Sequence, residues 1–196
     1  CDLPTNALNT IFLMLHRESI RYDGTEDNYV EKPKYALRSQ KERARFPDDV
    51  EFKAAFEERP VYLMNSKNKI YILERFENFG TSEDKDVYRH CDDGTYSIEH
   101  IMPQHLTPVW QKELGDDYEQ IHELWLHRMA NLTLTAYNSK YSNSSFTEKK
   151  TMQNGFDDSG IRMNTWIAKK DKWTLAELEE RSEYLMGRAL SIWAAP

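Results

Sequence analysis

The chain of 196 residues is poor in cysteine and contains no long apolar run. Its two cysteines, Cys1 and Cys91, are too few for a disulfide framework or a four-cysteine zinc site, so we expect a reducing, cytoplasmic compartment. No apolar run approaches the roughly 18 residues of a membrane-spanning helix, so we expect no membrane span. The first residues lack the charged and apolar regions of a signal peptide, and there is no initiator Met, so we expect a fragment of a larger protein.

Basic residues are fewer than acidic ones in this chain. The chain has 26 Lys and Arg residues against 33 Asp and Glu, a net charge of −7, which argues against a protein that coats nucleic acid nonspecifically. The charge is uneven, because residues 74–119 hold twelve acidic and four basic side chains, whereas residues 127–172 hold eight basic and four acidic. The basic segment is compatible with a local DNA-facing surface, although on charge alone solvated surface charge is the simpler interpretation.

Aromatic residues are plentiful, at 12% of the chain, and predict a folded core rather than disorder. We expect the tryptophans to fill this core rather than to stack on nucleobases. They are Trp110, Trp125, Trp166, Trp173 and Trp193.

Residues 1–90 are predicted to form a helical N-terminal part. Pro47 followed by two aspartates is typical of a helix start, and the apolar residues between Ile70 and Phe79 suit a further helix, although Tyr71-Ile-Leu could be a strand. Residues 80–94 are polar and rich in turn formers, so we place a boundary there. An earlier helical face has apolar residues at the spacing of one side of a helix, namely Leu8, Ile11, Phe12 and Leu15.

The central part, residues 91–150, is predicted to contain two strands. Residues 95–103 and 131–135 have strand-like patterns, residues 117–129 have a helical one, and residues 137–150 suit a loop or short helix. In the last part, residues 151–196, we expect C-terminal helices that pack on the core. The final helix is predicted to begin at a capping box formed by Thr174 and Glu177. Its predicted apolar face consists of Leu175, Leu178, Leu185, Ala189, Ile192 and Trp193.

Two segments carry residue types that suit the hydrolysis of a phosphodiester bond. They are Ser97-Ile-Glu-His-Ile-Met-Pro-Gln104 and the segment from His127 to Asn143. Such hydrolysis needs a base that deprotonates water, a cation that stabilises the leaving oxygen, and a group that orients the base. His100 could be the base and Asn131 could orient its ring. Glu99 and Asn138 could supply oxygen ligands to Mg²⁺, which keeps several waters and needs few protein ligands.

These segments resemble the ββα-metal, or His-Asn-His, nuclease motif. Glu99-His100-Ile-Met-Pro-Gln looks like its first strand, Asn131-Leu-Thr-Leu-Thr like its second, and Asn138-Ser-Lys like the start of its metal-binding helix. That helix often carries His in the superfamily, whereas this chain has Asn. The resemblance implies a mainly α fold with a small embedded ββα-metal hairpin-helix unit.

More narrowly, the chain resembles the C-terminal nuclease domain of GmrSD-type, modification-dependent restriction enzymes. The likeness includes His127-Arg-Met-Ala-Asn-Leu-Thr-Leu, in which Ala130 stands where the family often has Gly. It implies an Mg²⁺-dependent DNA endonuclease, for which Mn²⁺ can substitute. The resemblance also implies products with 5′-phosphate and 3′-hydroxyl ends and a role in bacterial defence against phage. It also implies a partner, an N-terminal nucleotide-hydrolysing sensor domain. Other residues that carry the likeness are Ile72-Leu-Glu, Asn138-Ser, Phe146, Lys149-Lys150, Asn164, Trp173, Arg181 and Trp193.

Several alternatives stay open at this point. Asn143 could take the metal-binding role of Asn138, and the whole chain could be a non-catalytic DNA- or partner-binding module on a degenerate nuclease fold. A structural zinc domain is disfavoured by the cysteine count, so Cys91 is interpreted as structural. His105, His122 and His127 have no comparable motif and are interpreted as surface or supporting residues. We expect phosphate contacts from four basic residues, Arg128, Lys140, Lys149 and Lys150.

Overall fold

The computed structural model describes residues 5–25, 28–41 and 46–195. These residues form two units, one comprising the described residues up to Phe52 with Ala194 and Ala195, and the other running from Lys53 to Trp193. Cys1 lies outside the described residues. Both of the motif segments lie in the second unit, and the boundaries near residues 90 and 150 stay predictions.

The first unit is helical, as its apolar spacing predicts. Helix α1 (Thr5–Ile20) packs against α2 (Glu31–Arg38). Ile11 is buried on the predicted face of α1, whereas Phe12 on the same face is 65% exposed. Helix α3 (Asp49–Glu58), of which residues 53–58 belong to the second unit, begins just after Pro47, where the sequence predicts a helix start. The Glu51 N–H donates to the Asp48 carboxylate there.

The second unit begins with helical segments that precede the sheet. A 3₁₀ turn (Val61–Leu63) leads to α4 (Ser66–Asn78) and then to α5 (Val87–Asp92). The Asn65 side chain accepts a hydrogen bond from the Asn68 N–H and caps α4. The Tyr71-Ile-Leu stretch is therefore helical rather than a strand.

A two-stranded antiparallel sheet carries the two motif segments. Strand β1 (Ser97–His100) pairs with β2 (Leu132–Thr135), so that Glu99 lies opposite Thr133 and His100 opposite Leu132. Both strands are shorter than the strand-like patterns that predict them. A short helix, α8 (Asn138–Tyr141), follows β2 and contacts β1, which yields the order strand, strand, helix.

Further helices lie between the two strands and after the second strand in the sequence. Helices α6 (Pro108–Leu114) and α7 (Tyr118–Trp125) connect β1 to a 3₁₀ turn (Met129–Asn131) that leads directly into β2. The last helices are α9 (Phe146–Thr151), α10 (Asn164–Ile167) and α11 (Leu175–Ile192). Helix α11 begins at the predicted capping box, in which the Thr174 N–H donates to the Glu177 carboxylate over 2.8 Å.

The core of the second unit lies between these helices and the sheet. Trp110, Trp125 and Trp173 are buried in it, as predicted, while Trp166 and Trp193 are half-buried. Helix α11 contacts both α4 and the 3₁₀ turn before β2, and thereby supports the start of that strand. The described residues are thus mainly helical with one small sheet, as the resemblance implies. Among the described residues, no helix combines the length and the apolar character needed to cross a bilayer.

The predicted face of α11 leads to a stability prediction. Leu178 is 0% exposed in the core, whereas its neighbour Glu179 is exposed. Leu178→Ala should lower the free energy of unfolding by about 2–5 kcal/mol, because a buried side chain is lost and a cavity is left. Glu179→Ala should change it by less than about 0.5 kcal/mol. Urea unfolding of the two variants checks this, and equal costs would contradict the assigned face.

Candidate functional site

A cleft of about 230 Å³ lies where β1, the loop after it and α8 meet. It brings together Glu99, His100 and Asn138, which the sequence analysis selects from segments almost forty residues apart. Asn143, the alternative to Asn138, lines the same cleft. The remaining lining residues are Tyr62, Ile98, Pro103, Gln104, His105 and Ser142.

Glu99 is 3% exposed and forms a buried ion pair with Lys149. The Lys149 ammonium lies 2.5 Å from Glu99 Oε1, and it also donates to the backbone oxygens of His100 (2.8 Å) and Ile101 (3.1 Å). Burial raises the pKa of Glu99 to about 7, against the opposing effect of the ammonium. Burial likewise lowers the pKa of Lys149, although Glu99 opposes that shift.

His100 is 5% exposed at the end of β1, where two aromatic rings enclose it. The Tyr62 ring meets it edge-on at a centroid distance of 4.3 Å, and His100 Nε2 lies 3.3 Å from Nδ1 of His127. Burial, reinforced by the nearby His127 and Lys149, lowers the pKa of His100 to about 3. The ring is therefore neutral at physiological pH and keeps a nitrogen lone pair that can accept a proton.

Of the two residues that enclose His100, the sequence analysis did not select Tyr62, whereas it interpreted His127 as a surface or supporting residue. Burial also lowers the pKa of His127, and His122 adds to that shift, so His127 is neutral as well. His127 stands four residues before Asn131, in the second motif segment, and the structure places it against His100. Tyr62 lies far earlier in the chain, in a segment with no motif.

Asn131 has a different role from the one expected. Its amide N–H groups donate to the backbone oxygens of Met102 (2.9 Å) and Leu126 (3.1 Å). Its oxygen accepts from the Met102 N–H (2.8 Å) and from Trp173 Nε1 (3.3 Å). These four bonds use the full capacity of an amide side chain, which corrects the expectation that Asn131 holds the imidazole directly. Asn131 instead holds the backbone that follows His100.

Asn138 and Asn143 are both placed where a ligand in the cleft could reach them. Asn138 is exposed at the first position of α8, and its amide nitrogen lies 3.4 Å from the Ile98 carbonyl oxygen, to which it donates. That bond turns the amide towards β1. Among the described residues the amide oxygen has no hydrogen-bond partner, so it can bind a cation.

The four basic residues expected to contact phosphate lie in different surroundings. Lys149 is 0% exposed with its ammonium bonded to Glu99 and two carbonyls, so the phosphate contact predicted for it is wrong. The half-buried Lys150 donates to the backbone oxygen of Lys170 over 2.7 Å. Arg128 is half-buried over the Trp125 ring, while Lys140 is exposed on α8 beside Tyr137.

The donor set of the cleft limits which metal ion it could hold. Within the described ranges, no group of three or more His, Cys, Asp and Glu side chains could hold a metal ion. Cys91 is a half-buried free thiol whose pKa burial raises, as expected of a structural cysteine. One carboxylate with neighbouring amides fits a hard cation that keeps much of its water, and does not fit four-coordinate zinc.

Comparison with known families adds independent information on this site. The model for the family described as GmrSD restriction endonucleases, C-terminal domain, matches residues 46–188. The match covers most of the chain, including both motif segments and every residue of the cleft. A comparison with curated proteins finds no significant match.

The buried ion pair leads to a stability prediction with a pH dependence. At about pH 8.5, Lys149→Met should lower the free energy of unfolding by about 3–5 kcal/mol, because the Glu99 carboxylate and two carbonyls lose their donor. Without the ammonium, the Glu99 pKa in the folded state should rise above its present value of about 7, further from the ordinary value near which the unfolded chain titrates. As the pH falls, Glu99 of the folded variant therefore takes up a proton at a higher pH than Glu99 of the unfolded chain. The difference in the free energy of unfolding between the variant and wild type should then shrink towards about pH 5.5.

The matched control is Lys150→Met, which removes an ammonium whose acidic neighbour, Asp171, is 99% exposed. It should cost less than about 1 kcal/mol. Urea unfolding at both pH values measures these differences. A Lys149→Met variant as stable as Lys150→Met at high pH would contradict the ion pair.

Proposed function

This chain belongs to the family of C-terminal domains of GmrSD restriction endonucleases, and on that premise we propose that it is a divalent-metal-dependent DNA endonuclease domain. The observation that carries the proposal is the cleft in which Glu99, His100 and Asn138 meet at the end of β1 and the start of α8. The strand-strand-helix order supports a ββα-metal unit of the His-Asn-His type. The products would have 5′-phosphate and 3′-hydroxyl ends.

His100 is the general base in this proposal. Its Nε2 lies against His127, and among the described residues its Nδ1 has no hydrogen-bond partner, so that nitrogen can accept the proton of a water in the cleft. A pKa of about 3 suits a ring that is neutral but only weakly basic. A phosphodiester anion bound nearby would favour the protonated ring, and a divalent cation bound in the same cleft would oppose it.

Glu99 and Asn138 are the proposed ligands of Mg²⁺, for which Mn²⁺ can substitute. One carboxylate and one amide oxygen suffice for a cation that retains several waters, and both residues line the cleft. When bound, the cation supplies stabilisation of the negative charge on the leaving 3′-oxygen. Lys149 holds the Glu99 side chain towards the cleft through Oε1, and Oε2 has no hydrogen-bond partner in the part of the chain that the structure describes.

DNA contacts are proposed for Lys140 and Arg128, since the ammonium of Lys149 is buried. Lys140 is exposed on α8, two residues after Asn138, so a phosphate held at the cleft lies within reach of its flexible side chain. Arg128 directly follows His127 in the sequence and is half-buried. The net charge of −7 opposes DNA, so binding by this chain alone should be weak and sensitive to salt.

The wider setting follows from the family and is likewise a proposal. A nuclease domain of a restriction enzyme acts in bacterial defence against phage, in the cytoplasm. The proposed partner is an N-terminal nucleotide-hydrolysing domain that senses modified DNA. Such a partner would supply the DNA affinity that the charge of this chain disfavours.

Replacement of the proposed base should abolish cleavage. His100→Ala should reduce the rate of plasmid nicking in Mg²⁺ by about 10²–10⁴-fold, because no side chain then takes the proton of the attacking water. The matched control is His105→Ala, which removes an exposed imidazole from the same cleft and should leave nicking within a few-fold. EDTA should abolish wild-type nicking. A folded His100→Ala protein that nicks normally would refute the assignment, and loss of activity in His105→Ala alone would move the base to His105.

Replacement of the proposed amide ligand should alter the response to metal. Asn138→Ala should require more Mg²⁺ for half-maximal nicking and should recover part of its rate at high Mg²⁺, because one oxygen ligand is lost. Asn143→Ala, which changes the same residue type in the same cleft, should leave the Mg²⁺ titration unchanged. The opposite result would assign the ligand to Asn143.

A further inference from the structure

The pairing of His100 with His127 carries an inference beyond these assignments. We propose that His127 is a positioning residue that accepts, at Nδ1, the hydrogen bond of His100 Nε2–H. This bond keeps Nδ1 of His100 unprotonated and directed at the cleft. The inference rests on the proposed function, because it explains how the base is held ready.

The direction of the hydrogen bond follows from the chemistry of the two rings. His100 Nε2 and His127 Nδ1 lie 3.3 Å apart, and two neutral rings share one hydrogen between these atoms. If His100 donates, both rings carry their hydrogen on Nε2, the tautomer that neutral histidine favours. If His127 donates, both rings carry it on Nδ1, and His100 has no free lone pair left. The arrangement in which His100 donates therefore places both rings in their favoured tautomer. It is also the one that leaves His100 with a free lone pair, on Nδ1, that can act as the base.

The position of His127 is itself tightly determined. The Tyr62 ring stacks on the His127 ring with a centroid distance of 5.4 Å and an interplanar angle of 10°. The Tyr62 N–H also donates to the His127 carbonyl oxygen over 3.1 Å. Lys69 supports Tyr62 in turn, because its ammonium lies 4.6 Å from the ring centroid and donates to the Tyr62 carbonyl oxygen.

The same tyrosine holds the other ring of the pair. Tyr62 contacts His100 edge-on at 4.3 Å, and the two imidazoles meet at an interplanar angle of 70°. The two nitrogens lie 3.3 Å apart while the ring centroids are 5.4 Å apart, so Nε2 of His100 lies nearer to the Nδ1 edge of the His127 ring than to its centre. His122 has no such geometry, since its Nε2 donates to the Pro103 carbonyl oxygen over 2.9 Å. The arrangement therefore distinguishes His127 from its neighbour as the partner of the base.

Two substitutions separate this role from simple packing. His127→Asn places an amide oxygen near the position of Nδ1 but loses the aromatic stack on Tyr62. His127→Phe keeps an aromatic ring for that stack but has no nitrogen. If His127 only packs, the Phe variant should be the more active of the two, whereas if His127 accepts a hydrogen bond, the Asn variant should be.

The kinetic experiment measures nicking of plasmid DNA in Mg²⁺ by wild type and both variants, after circular dichroism has shown that each is folded. His127→Phe should lower kcat by roughly 3- to 10-fold, the effect of one neutral hydrogen bond, and leave KM for DNA unchanged. His127→Asn should stay within about two-fold of wild type. A Phe variant as active as wild type would overturn the inference.

A second experiment is independent of activity. In the ¹⁵N-labelled protein, NMR should show one proton covalently bound to His100 Nε2, with a coupling through the hydrogen bond to His127 Nδ1. His127→Phe should abolish that coupling and hasten exchange of the Nε2 proton with solvent. A proton found on His127 Nδ1, or two uncoupled rings, would overturn the inference. Were wild type unable to cleave DNA, the proposed function would fail, and the NMR result would still decide the direction of this bond.

Discussion

The buried ammonium of Lys149 is the contact on which the geometry of the cleft depends. It joins α9 to β1 by donating at once to the Glu99 carboxylate and to the carbonyl oxygens of His100 and Ile101, where the strand ends. Those carbonyls lie at the end of a two-stranded sheet and need donors from elsewhere. The three ammonium hydrogens of Lys149 therefore bond two backbone carbonyl oxygens and orient the Glu99 carboxylate. Both effects fix the end of β1, and with it the position of His100.

The site is built from buried polar groups, each of which needs its own partners. Asn131 uses all four of its hydrogen-bonding capacities to join the loop after His100, the end of α7 and Trp173. The aromatic core beside it excludes water, which strengthens these bonds and also shifts the pKa values of Glu99 and His100. Packing and chemistry are thus coupled, because the surroundings that stabilise the unit also hold the imidazole neutral.

Much of the fold could be predicted from the sequence, because local rules govern it. The capping box at Thr174 and the apolar face of α11 depend on residues three and four apart, and the structure has both. The Tyr71-Ile-Leu stretch was ambiguous, since a short apolar run fits a strand or a helix, and tertiary packing of Leu73 in α4 decided for the helix. The expected contact between Asn131 and the imidazole is absent, because the Asn131 amide forms its hydrogen bonds with Met102, Leu126 and Trp173 instead.

By itself, the sequence determined which residues are the candidates for chemistry, since the Glu99-His100 and Asn131 segments with Asn138 are recognisable by residue type and order. Only the tertiary structure decided what surrounds them. Lys149 and Lys150 are indistinguishable in sequence, yet successive residues of a helix point about 100° apart, so one ammonium is buried against Glu99 while the other remains near the surface. Likewise, His127 meets His100 across a gap of 27 residues, because the packing of Tyr62 and the path of the chain through α6 and α7 bring the two rings together. No local rule in the sequence encodes such contacts, because they depend on where distant segments pack.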